Sequence, residues 1–110
     1  MPIDFAASPR STLGIEWELA LVDRESRELA GIAPGILAEF ADRFPQSSFP
    51  HLAGELLENT VELVTAPHET VTGATADLRE LALAAQAAAE TRGAALIGSG
   101  SHPFSVWSDQ

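Results

Sequence analysis

Two glutamates one residue apart, Glu16 and Glu18, sit in a stretch where apolar and polar residues alternate. On an extended chain this spacing puts both carboxylates on one face, about 7 Å apart at their Cα atoms. Two anions so placed repel each other, and a hard, oxygen-seeking cation such as magnesium relieves that repulsion. A second stretch repeats the pattern: Glu58 and Glu62 share a face if extended, with Thr60 between them and about 13 Å between their Cα atoms. Should the two strands pair, four carboxylates converge on one side of a sheet, hard to keep ionised together without metal. Glu55 has the opposite parity and joins that face only through a bend or bulge before the strand. The competing reading is an open sheet face bearing solvated glutamates.

Other chemistry-bearing residues give weaker signals. His102 and Pro103 follow a short apolar run, at a strand end where loops commonly place functional groups. Gly98-x-Gly100 matches neither a P-loop nor a dinucleotide fingerprint and reads as a plain turn. His51 and His68 stand beside Pro50 and Pro67 in polar surroundings and are expected at the surface. Trp17 and Trp107 are expected as core or interface anchors.

The elements that would position these groups follow from periodicity. Residues 1–11 lack any pattern and read as a flexible lead-in. From Thr12 to Asp23, Leu13, Ile15, Trp17, Leu19 and Leu21 alternate with the glutamate face, which predicts a long strand. Residues 28–32 can pair back on it briefly as a hairpin. Pro34 and the spacing of Ile36, Leu37, Phe40 and Phe44 predict a helix over 34–44. Residues 46–54 read as loop, and 56–65 as a second strand with Leu57, Val61 and Leu63 on its apolar face. The threonines at 70, 72 and 75 offer caps for a long alanine-rich helix with Val71, Ala74, Leu78, Leu81, Ala82, Ala85 and Ala89 as its buried stripe, stopped by Gly93. Ala94 to Ile97 predicts a third strand.

Composition narrows the function classes. The 110 residues suit one hydrophobic core, and 45% hydrophobic content argues against disorder. The net charge of -10, with 16 acidic against 6 basic residues and no lysine, repels nucleic acid and anionic membranes but attracts metal cations. The absence of cysteine excludes disulfides and thiolate metal sites. No apolar run approaches a membrane span, and the expectation is a soluble, cytoplasmic protein.

Three motifs in order resemble the glutamate-cysteine ligase family, most closely its bacterial type-2 and carboxylate-amine ligase branch. They are Leu13-Gly-Ile-Glu-Trp-Glu-Leu19 with Leu21-Val-Asp23; Glu55-Leu-Leu-Glu58 with Val61-Glu-Leu-Val-Thr-Ala-Pro67; and Gly100-Ser-His-Pro-Phe104 with Trp107 and Gln110. The resemblance runs over residues 12–110, expected as the N-terminal part of a catalytic domain. It implies an α+β fold related to the glutamine synthetase catalytic domain, a mostly antiparallel sheet with helices packed on one face. It also implies ATP-dependent activation of a glutamate γ-carboxylate as an acyl phosphate, which an amine such as that of cysteine attacks.

Carried over by motif, the resemblance makes Glu16, Glu18, Glu55 and Glu62 ligands of Mg2+ or Mn2+, with Glu58 a weaker candidate, and places His102 in the family's His-Pro turn near the bound nucleotide. Family members are several times longer, so the chain alone is expected to be inactive, and either self-associating or lacking a C-terminal portion. Two alternatives stay open: an acidic α+β binding or assembly module that keeps the fold without the chemistry, and another metal-dependent phosphotransfer enzyme using the same carboxylate face.

Overall fold

The computed structural model describes residues 10–54 and 57–98. Its elements are β1 (Glu16–Asp23), α1 (Ala33–Glu39), β2 (His51–Gly54), β3 (Thr60–Val64), α2 (Val71–Glu90) and β4 (Ala94–Ile97). The strands form one sheet in the order β2-β3-β1-β4, and every neighbouring pair is antiparallel. The fold is α+β. β1 lies inside the sheet, between β3 and β4, which α2 connects.

Register shows which residues share a face, because directly opposed residues of an antiparallel pair point the same way. Trp17 opposes Leu63, Leu19 opposes Val61, Leu52 opposes Leu63 and Leu21 opposes Leu96. Leu19, Leu21, Leu52, Val61 and Leu63 form a buried core with Ile36 and Phe44 and with Leu81, Ala84, Ala85, Ala88 and Ala89 of α2. Both helices therefore cover this one face. Burying a leucine or isoleucine of this kind stabilises by about 1.5–3 kcal/mol.

The alanines let α2 approach the sheet closely, at the cost of apolar area per residue. Its stripe is wider than the expected one, with Ala74, Leu81, Ala85 and Ala89 buried as expected. Ala84 and Ala88 are buried, Leu78 and Ala82 pack at the margin, and Val71 is 66% exposed, because the helix begins at that residue, beyond the sheet's cover. Thr70 caps α2, its Oγ1 accepting from the Gly73 amide at 3.1 Å, an interaction of about 1 kcal/mol. Gly93 follows the helix with φ +69°, a left-handed conformation that an L side chain resists.

Three further expectations are corrected. The first strand is regular only from Glu16. Upstream, Leu13 bridges His68 and the Ile15 amide donates to Thr65 Oγ1, so the chain stays extended without a continuous ladder. The helix over 34–44 ends at Glu39; Phe40 to Phe44 make a further turn in which the Phe44 amide bonds the Phe40 carbonyl and the Arg43 guanidinium lies 4.7 Å from the Phe44 ring centre. Residues 51–54, read as loop, form β2, an edge strand against β3. The returning hairpin at 28–32 is present as a Val22–Leu29 bridge.

Candidate functional site

The acidic face is the one the helices leave open. Glu18 stands directly opposite Glu62, and Glu16 opposite Val64, in the β1–β3 ladder. Directly opposed Cα atoms lie about 5 Å apart in such a pair. Glu16, Glu18 and Glu62 thus share one sheet face, with Glu16 and Glu18 exposed and Glu62 half-buried.

The alignment expected between Glu58 and Glu62 does not hold. β3 begins at Thr60, and Glu58 lies in the preceding turn. That turn is pinned by three bonds: the Glu58 carbonyl accepts from Ala33, the Asn59 carbonyl from Leu21, and the Thr60 hydroxyl donates to the Leu57 carbonyl. Glu58 packs beside Gly31, off the ladder that carries Glu62. Glu55, His102 and Trp107 lie outside the described residues.

Two histidines differ from their surface expectation. His51, on β2, opposes Val64 and therefore shares the acidic face, yet only 8% of it is exposed. Its Nδ1 lies 2.7 Å from the Ser48 carbonyl. A carbonyl can only accept, so Nδ1 is the donor in this contact. The Phe49 ring packs against that of His51, tilted by 46° with the ring centres 4.9 Å apart. His68 is held by Asp77 of α2, with Nε2 2.6 Å from Oδ2, and the same oxygen accepts from the Ala66 amide at 3.0 Å. Neither position was legible: His51 depends on β2, and nothing in the spacing of His68 and Asp77 announces their contact.

Among the described residues, no group of three or more histidine or carboxylate side chains is placed to hold a metal ion. Magnesium does not require one. It keeps several waters and is typically bound through one or two carboxylates together with substrate phosphates. The facing Glu18–Glu62 pair offers the two carboxylates of that mode. Beside Glu16 an open groove is lined by Ile15, Phe49, Val64, Thr65 and Pro67.

Comparison with known proteins matches residues 12–110 to the profile of glutamate-cysteine ligase family 2. A protein of Clavibacter sepedonicus provisionally named glutamate–cysteine ligase 2 is 51% identical over 110 residues, all of this chain and 28% of that protein. One of Micrococcus luteus with the same provisional name is 50% identical over 107 residues, 94% of the chain and 27% of its own length. A Nocardia farcinica protein provisionally named glutamate–cysteine ligase 2-2 is 43% identical over 108 residues, 98% of the chain and 28% of its own length. The chain thus spans little more than a quarter of the relatives it matches.

Proposed function

Because the chain belongs to glutamate-cysteine ligase family 2, we propose that it carries the metal-holding sheet face of an ATP-dependent carboxylate-amine ligase. Glu18 and Glu62, with Glu16 on their flank, would hold Mg2+ or Mn2+, and Glu55 and His102 would complete the site toward the nucleotide. The observation that carries this reading is the direct opposition of Glu18 and Glu62 on the face without helices. The reaction it serves is phosphorylation of a glutamate γ-carboxylate by ATP, followed by attack of an amine such as that of cysteine. A cation held by Glu18 and Glu62 would supply charge neutralisation, which phosphoryl transfer needs more than covalent chemistry from the protein.

The chain's own residues contribute position. β1 and β3 are tied into the middle of the sheet, so their carboxylates are fixed by a ladder rather than by a loop. The remainder of the relatives' length is where the phosphate-gripping cations would come from, as none of the arginines falls in the three matched motifs.

The test is thermal unfolding of the chain with and without magnesium or manganese. Cation at ten times its Kd should stabilise by about 1.4 kcal/mol, and Glu18→Gln or Glu62→Gln should remove that gain. A metal response that survives both substitutions would place the cation elsewhere and leave the acidic face as that of a binding module that keeps the fold without the chemistry.

A further inference from the structure

We infer that Asp77 of α2 is a positioning residue for Glu16, the carboxylate at the last rung of the β1–β3 ladder, and that it acts by holding a β-bulge beside that rung. The inference rests on the metal-holding reading of the acidic face. From the Glu16–Val64 pair to the Leu13–His68 bridge, the first strand advances by three residues and its partner by four. One extra residue on the partner side makes a β-bulge, which bends a strand pair and re-aims the side chains next to it. No regular ladder closes this bulge. Thr65 donates its amide to the Ile15 carbonyl at 3.0 Å and takes the Ile15 amide on its hydroxyl at 2.9 Å. The Ala66 amide serves no strand and donates instead to Asp77 Oδ2 at 3.0 Å.

Asp77 grips the bulge a second time. The same oxygen lies 2.6 Å from His68 Nε2, and the His68 backbone exchanges both of its hydrogen bonds with Leu13, at 2.7 and 2.8 Å. One carboxylate on α2 therefore ties residues 66 and 68 to the helix and, through them, the stretch from Leu13 to Ile15. Glu16 needs this support more than Glu18 does. β4 pairs with β1 only from Ala20 to Asp23, so Glu16 has a strand on one side and the bulge just beyond it. Glu18 stands inside the β1–β3 ladder, with a paired rung on either side. A carboxylate that holds a cation depends on the groups that orient it, and Asp77 orients Glu16 through the backbone, from a helix on the other side of the sheet.

The experiment is a Mn2+ titration of the chain followed by water-proton relaxation, with amide hydrogen exchange measured on the same proteins without metal. Asp77→Ala should speed exchange at Leu13 and Ile15 relative to Leu19. It should also weaken Mn2+ binding by up to about tenfold, the lower end of the cost of removing an orienting group. Asp77→Asn, which keeps an acceptor oxygen, should recover part of both. In a Glu16→Gln background, Asp77→Ala should cost no further affinity, because residues that act through one another are not additive. Leu78→Ala, a destabilising change on the same helix, should leave Mn2+ binding at the parent level. Should Asp77→Ala lose its folded amide spectrum, His68→Ala, which spares the Ala66 bond, gives the same test with a smaller effect. Parent-level exchange and affinity in Asp77→Ala, an equal loss in the Glu16→Gln background, or an equal loss in Leu78→Ala would overturn the proposal. Mn2+ binding that ignores both Glu18→Gln and Glu62→Gln would sink the metal reading, while faster exchange at Leu13 and Ile15 in Asp77→Ala would still uphold the clamp on the bulge.

Discussion

Glu18 and Glu62 face each other across the β1–β3 ladder, two carboxylates in a directly opposed cross-strand pair. Like charges so placed are destabilising, on the order of 0.2–1 kcal/mol. In metal-free buffer, Glu18→Gln should therefore raise the unfolding midpoint, by a few degrees at most for a domain of this size. Differential scanning calorimetry at low ionic strength measures it directly. A lower midpoint would mean that the carboxylate makes a favourable contact that outweighs the repulsion.

The clasp between His68 and Asp77 is expected to matter for stability. Asp77 Oδ2 accepts from both the His68 ring and the Ala66 amide, so Asp77→Ala leaves two donors at once without their acceptor in a partly buried site. The loss should be about 1–3 kcal/mol, read as a lower urea midpoint, and Asp77→Asn should recover part of it by keeping an acceptor oxygen.

Gly73→Ala should destabilise, against the helix propensity of alanine, which alone favours the change by about 1 kcal/mol. A Cβ at position 73 would lie 2.6 Å from His68 Nδ1, and the Asp77 bond keeps that ring from moving aside. Equilibrium unfolding of Gly73→Ala alone and combined with His68→Ala separates the two effects. If the clash governs, adding Gly73→Ala to His68→Ala stabilises.

Asp23 supplies a pH-dependent element. Amide donation from Ser26, and then from Glu25, lowers its carboxyl pKa below 3.8 in the folded chain. A depressed acid contributes stability above its unfolded pKa and loses it as pH falls through the folded value. Asp23→Ala should therefore be less stable than the parent at neutral pH, and the difference should shrink as pH drops below about 4. A gap that stays constant down to pH 2 would contradict the turn's dependence on the ionised carboxylate.

How much of this was legible follows from the pattern each residue sits in. β1 and α2 have long periods, and their core positions Leu19, Leu21, Leu81 and Ala85 could be read directly. The shared face of Glu16 and Glu18 followed from parity, but the opposition of Glu18 to Glu62 depends on register, which no local pattern sets. β2 was missed because four residues containing His51 and Gly54, entered from Pro50, carry little strand propensity; β3 supplies what they lack. Glu58 went astray because buried Asn59 turns the chain where alternation suggested that it runs straight.

The position of β1 has a consequence for biosynthesis. It precedes both strands that flank it, and its partners are residues 60–64 and 94–97. A chain made from its N-terminus therefore leaves Leu19 without its partner Val61 until β3 has emerged, and Leu21 and Val22 without Leu96 and Ala95 until α2 and β4 have followed. Nascent β1 then depends on delayed long-range pairing, which is slow and open to aggregation. The neighbouring glutamates that would later serve a cation can meanwhile act as gatekeepers, since their charge discourages premature pairing of one nascent chain with the next.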